Sequence, residues 1–277
     1  MMKQGLTTIA FASVLAGAAS LAFAGTYGEP ALNEEGPAPV AEVPALESEP
    51  RILREFAGFL TDAETTRGFW VELGSGYASE TDLGPDIDLW TLFARLAVGG
   101  EMWEVGAQLP YSWAESGIGD EDGLNDMHLW GKVLPIRTDV VTAGGGLVVS
   151  APTGDSPLFS ADEWGFNPFL TSAFAAGPVS IRTMIGYDRY IDITDSDAMT
   201  YNASVLAPVG DMVVVRAEFA GYHGFDTDLD PVSFVPGVDV VVPLGNVDLW
   251  IRATGAAGLT DEAADWELAL SLALTRS

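Results

Sequence analysis

The chain has 277 residues, with 12 Lys+Arg against 40 Asp+Glu, a formal net charge of -28 and no cysteine. That balance excludes a nucleic-acid partner, since so few bases cannot neutralise a run of phosphates; the missing cysteines exclude disulfides, thiolate metal sites and a cysteine nucleophile. Yet 48% of the residues are hydrophobic and mean hydropathy is +0.22, which excludes wholesale disorder and leaves apolar surface to hide beside charges that must stay wet.

Met1-Met2-Lys3 is a short basic start, Gly5 to Leu21 an apolar stretch, and Ala22-Phe23-Ala24 a small-x-small site. Residues 1–24 therefore read as a cleaved secretory signal peptide. Residues 25–50, with Pro30, Pro37, Pro39, Pro44 and Pro50 among Glu34, Glu35, Glu42, Glu47 and Glu49, read as an extended Pro/Glu-rich linker. Ile52, Phe56, Phe59 and Leu60 fall at near-helical spacing, predicting a short amphipathic helix within 51–66 that either rests on the next domain or plugs a pore. No later stretch approaches ~18 uninterrupted apolar residues, so no spanning helix is predicted.

From Arg67 to the end, residues 67–277, the period is two. Trp103, Val105, Ala107, Leu109, Tyr111 and Trp113 alternate with Glu104, Gly106, Gln108, Pro110 and Ser112. Near the end, Trp266, Leu268, Leu270, Leu272 and Leu274 alternate with Glu267, Ala269, Ser271, Ala273 and Thr275. Each such segment is a strand with one apolar face and one mixed polar face. About twelve fall at roughly 67–79, 87–98, 101–114, 124–134, 138–151, 164–176, 178–190, 198–207, 211–222, 231–243, 246–257 and 264–275. Joints alternate between short ones, such as Ala176-Gly177-Pro178 and Pro243-Leu244-Gly245-Asn246, and long ones, such as 151–164 and 222–231. A soluble β-sandwich or lipocalin-like barrel would turn the apolar faces inward and has no reason for this short-long order. An all-β, up-and-down antiparallel transmembrane barrel of about 12 strands has one, with both termini at the short-turn, periplasmic end. Trp90, Trp103, Tyr111, Trp113, Tyr187, Tyr190, Tyr222 and Trp266 stand near strand ends, as interfacial girdles require.

The charges then divide. Many acids fall in the long loops, where they solvate an outer rim. Asp226, Asp228 and Asp230 are also candidate hard-oxygen ligands for Ca²⁺, although they do not complete an EF-hand loop. By alternation, Glu72, Arg95, Glu104, His128, Lys132, Arg182, Arg216, Glu218, Asp239, Asp248, Arg252 and Glu267 project to the polar, lumen-lining face. An Arg or Lys facing lipid at the midplane costs about 2–4 kcal/mol, so phase alone drives the bases inward. They form ion pairs that stiffen the barrel, a charged path for solute, or both. Catalysis finds little support: His128 and His223 are the two histidines, and neither begins the His-x-Ser arrangement of a barrel phospholipase. No enzyme activity and no cofactor is expected.

Gly123-Leu124-Asn125-Asp126-Met127-His128-Leu129-Trp130-Gly131-Lys132 and, in the next strand, Gly146-Leu147-Val148-Val149-Ser150-Ala151-Pro152-Thr153-Gly154-Asp155 resemble paired motif elements of one outer-membrane family. It is the family named after the meta-pathway of phenol degradation, related to long-chain fatty-acid and aromatic-hydrocarbon channels. Asn125-Asp126 stands where that family has Gly-Asp, and Leu274 stands near the end where such barrels usually carry an aromatic. The resemblance implies a channel for small hydrophobic or aromatic compounds; the other reading is a closed structural or adhesive barrel working through acidic loops. The expected partners are outer-membrane lipid and lipopolysaccharide, the barrel-assembly machinery, a small-molecule solute and Ca²⁺ at the loops, with the chain monomeric in the outer membrane.

Overall fold

Thirteen period-two segments pair antiparallel with their sequence neighbours. In the computed structural model the described residues are 62–80, 87–116, 119–155, 159–191, 193, 197–225, 230–260 and 263–276. The signal, linker and most of the predicted helix, residues 1–61, lie outside them.

The strands are β1 (Gly68–Glu80), β2 (Ile87–Gly99), β3 (Trp103–Ser116), β4 (Gly119–Leu124), β5 (Met127–Arg137), β6 (Val141–Ala151) and β7 (Gly165–Ala176). They continue with β8 (Val179–Tyr190), β9 (Ala198–Val209), β10 (Val213–Gly224), β11 (Val232–Pro243), β12 (Asp248–Gly258) and β13 (Trp266–Arg276). Both β4 and β5 pair with β3, so they are two parts of one stave. β1 pairs with β13 from Phe69↔Arg276 to Ser79↔Trp266, which closes a ring of twelve staves. Closure leaves no open edge in lipid.

The split between β4 and β5 lies opposite Pro110. Pro110 accepts from the Asn125 amide at 3.0 Å, but it has no N–H to return, so the ladder breaks there. Asn125 and Asp126 take up the slack. At the short-turn end, Gly177, Gly210 and Gly245 sit at φ of +63°, +68° and +82°, the left-handed conformation that tight turns need.

The outer face is apolar along its length. Leu73, Leu170, Leu268 and Leu270 are each more than half exposed. A soluble protein does not leave so broad an apolar belt in water; a bilayer covers it. Tyr77 stacks near Trp90 and Trp266, with ring centroids 4.6 and 4.9 Å away, at the long-loop end. Trp103 stands outward at the opposite end. Two tyrosines depart from the girdle expectation. Tyr190 and Tyr222 share the inward phase of Arg182 and Arg216 on their strands. Position at a strand end suggested the girdle, but the alternation decides the side.

The interior is filled, as in other small barrels. Trp70, Trp130, Phe169, Met184, Leu206, Val214 and Trp250 form a buried apolar cluster. Trp70 and Trp250 approach to 5.8 Å between ring centroids.

Candidate functional site

Ten of the residues expected to face the lumen are on the inner side of the wall and largely shielded from solvent: Glu72, Arg95, Glu104, His128, Lys132, Arg182, Arg216, Glu218, Asp239 and Arg252. Asp248 and Glu267 have the same phase but are half-buried near the two ends.

Register explains most of the pairing. Arg95 stands directly across from Glu72, Lys132 from Glu104, and Arg252 from Asp239. Opposite charges directly across a ladder are within reach, and all three pairs form, at 2.8, 3.2 and 2.9 Å. Glu72 also accepts from Trp70 Nε1 at 3.0 Å and from Ser271 Oγ at 2.6 Å. Arg95 donates twice to Gln108, at 3.1 and 2.9 Å. Glu218 accepts from Asn202 at 2.7 Å, and Arg216 donates to Thr254 Oγ1 at 3.0 Å.

Arg182 differs. Its cross-strand neighbours are Ala173 and Ser204. Its carboxylate comes from outside the wall: Asp62 Oδ2 lies 2.7 Å from Arg182 Nη1. Lys132 Nζ donates to the Asp62 carbonyl at 3.0 Å. The segment then returns toward β1. Glu64 meets Arg137 at 3.4 Å, Thr65 Oγ1 donates to Gly100 O at 2.7 Å, and the Thr66 amide donates to Glu104 Oε2 at 2.6 Å. Ala63, Glu64, Thr65 and Thr66 are buried.

β8 is six staves from β1 around the ring of twelve, on the opposite side. Residues 62–67 therefore cross the bore at the short-turn end. Extended chain covers about 3.3–3.6 Å per residue, enough for that crossing. Residues 62–66 contain no helical turn, while Ile52, Phe56, Phe59 and Leu60, whose spacing predicts the helix, are not among the described residues. Part of their polar groups bond to the wall, through Asp62, Glu64, Thr65 and the Thr66 amide. Around Asp62, Arg182, Arg216 and Glu218 a space of about 10 Å³ remains, room for one water.

A second contact shapes the long-loop end. Asp126, at the break between β4 and β5, is buried. Its Oδ1 accepts from the Gly154 amide at 3.1 Å and Ser160 Oγ at 2.7 Å, and its Oδ2 from the Ala161 amide at 3.0 Å. Thr153 Oγ1 accepts from the Met127 amide at 2.8 Å. Thus the two motif elements pack on each other, and Asp126 holds the β6–β7 connection inward with Phe159 and Ser160 buried. Asp126→Ala removes two acceptor oxygens and the three hydrogen bonds they accept. Each charge-assisted bond is worth about 1.5–3 kcal/mol, so exchange of the Gly154 and Ala161 amides should accelerate by more than about tenfold. Unchanged exchange would show that the connection is held by packing alone.

The remaining candidates are less productive. His128 Nδ1 lies 3.0 Å from Ser150 Oγ across the β5–β6 ladder. The two residues stand on neighbouring strands, 22 positions apart, rather than as His-x-Ser on one strand. Both residues are buried in the wall. Asp226 and Asp228 lie outside the described residues, and Asp230 pairs with His223. Among the described residues no group of three His, Asp or Glu is placed to hold a metal ion.

Sequence reasoning did not single out Asp62, Glu64 or Asp126 as site residues. A usable signal existed for Asp62: register leaves Arg182 without an acid on either neighbouring strand, so a carboxylate from elsewhere was to be expected.

No family model and no curated protein matches the chain. Solved structures match by shape. An outer membrane channel from Pseudomonas putida F1 aligns with a TM-score of 0.57 at 14% identity, over 78% of this chain and 97% of that one. The NanC porin aligns with a TM-score of 0.52 at 10% identity, over 75% and 99%. The translocator domain of the autotransporter NalP from Neisseria meningitidis aligns with a TM-score of 0.50 at 12% identity, over 76% and 88%. With its closed ring, apolar exterior and charged interior, the chain has the fold of the outer-membrane β-barrels.

Proposed function

We propose that this protein is an outer-membrane channel for small solutes, held closed at its short-turn end by residues 62–66. The observation that carries the reading is the path of Asp62–Thr66. A barrel that served only as structure would need no such segment across its bore, and the segment is held by polar contacts that can be exchanged for contacts with water or solute. The motif elements around Asp126 and Gly154 resemble those of the meta-pathway phenol family. They thereby support small aromatic compounds among the solutes. Trp70, Trp130, Phe169 and Trp250 supply apolar surface inside the barrel beside the charges.

The test is single-channel recording in planar bilayers with the full chain and with its Asp62→Ala/Glu64→Ala variant. The expected result is small or rare steps for the parent and a severalfold larger conductance for the variant, because two anchors of the crossing segment are lost. If neither conducts and neither passes solute in liposome swelling, the channel reading fails. The closed barrel acting through its acidic loops would then stand.

A further inference from the structure

Asp62 is bound in the manner of a ligand. Its carboxylate meets Arg182 Nη1 at 2.7 Å, and its carbonyl accepts from Lys132 Nζ at 3.0 Å. Neither contact belongs to the ladder of the wall. Arg95, Lys132 and Arg252 each have a wall carboxylate directly opposite. Arg182 instead faces Ala173 and Ser204. Its acid arrives on a strand-free segment, and the side chain is 2% exposed. Arg216, Glu218, Asn202 and Ser204 line the same small cavity. If the segment leaves, the wall keeps its three ladder pairs, and Arg182 exchanges the Asp62 carboxylate for another partner. A guanidinium with polar neighbours, inside a low-dielectric wall, selects a carboxylate over a neutral group of the same size.

We propose that Arg182 is a carboxylate-binding station on the permeation path, that Asp62 occupies it while the barrel is closed, and that the solutes are small organic acids whose carboxylate takes the place of Asp62. This rests on the channel reading and narrows it. An aromatic acid satisfies both the apolar lining and the guanidinium. The acidic rim slows the entry of such an anion, and the internal guanidinium offsets that repulsion.

The experiment uses full-length protein in proteoliposomes, with gluconate and sorbitol as a membrane-impermeant pair that differ chiefly in the carboxylate. Asp62→Asn should raise gluconate flux more than sorbitol flux, by on the order of tenfold. Adding Arg182→Gln should bring the two fluxes together, and Arg182→Lys in its place should restore part of the preference. The lysine variant guards against a folding defect, since it keeps the charge. Equal preference in Asp62→Asn with and without Arg182→Gln overturns the carboxylate station, while flux of both solutes leaves the channel intact. Absence of flux for either solute in every variant overturns the station together with the channel.

Discussion

Glu72→Ala should destabilise the folded barrel by about 3–5 kcal/mol, the cost of leaving a buried charge without its partner. Glu72 stands at the seam where the first strand meets the last. Its Oε2 accepts from Arg95 Nη1 at 2.8 Å and Trp70 Nε1 at 3.0 Å. Its Oε1 accepts from Ser271 Oγ at 2.6 Å, across 199 residues of chain, and lies 3.6 Å from Arg252 Nη1. One carboxylate thus ties β1 to β2, β12 and β13. Removing it leaves two guanidiniums facing each other in a low-dielectric interior, with Asp239 still paired to Arg252. Glu72→Gln keeps the shape and some of the hydrogen bonds, so its loss should be smaller. Urea unfolding in lipid vesicles, followed by tryptophan fluorescence, reads both. A Glu72→Ala barrel within about 0.5 kcal/mol of the parent, the range of an ordinary surface substitution, would show that water reaches these bases and screens them.

Glu104→Ala should do two things at once. Glu104 Oε1 accepts from Trp130 Nε1 at 2.8 Å and lies 3.2 Å from Lys132 Nζ; Oε2 accepts from the Thr66 amide at 2.6 Å. The substitution leaves Lys132 buried without its acid, again about 3–5 kcal/mol, and removes one anchor of the crossing segment, the acceptor of the Thr66 amide. Stability should fall and conductance should rise. The two effects separate in Glu104→Leu/Lys132→Met. Replacing both members of a buried pair by apolar groups is often nearly neutral, so stability should largely recover. Conductance should stay high, because the Thr66 amide still lacks its acceptor. Recovery of both together would mean that the conductance of Glu104→Ala came from a loosened wall rather than from the released segment.

The legible part of this site was the part written in local alternation. Glu72, Arg95, Glu104, Lys132, Asp239 and Arg252 could be placed inward from phase alone, and their burial follows. Their pairing was closer to hand than it looked. Strand register across the hairpins puts Glu72 opposite Arg95 and Asp239 opposite Arg252, and hairpin register follows from turn length. Tyr190 and Tyr222 show the opposite case: they stand near strand ends, yet the two-residue alternation turns them inward.

By itself the sequence determined the strands, their apolar and polar sides, and the short-long order of joints. These depend on the two-residue pleat and on turn chemistry, both of which act over a few residues. The opening contradiction of an acidic yet hydrophobic chain resolves at that level, since the two properties occupy different surfaces. Only the tertiary structure decided that β1 closes on β13, that Asp62 crosses the bore to Arg182, and that Asp126 holds the β6–β7 connection inward. Those contacts join residues 34 to 207 positions apart in the chain. Closing the ring sets which groups meet across the lumen, and no local periodicity encodes that distance.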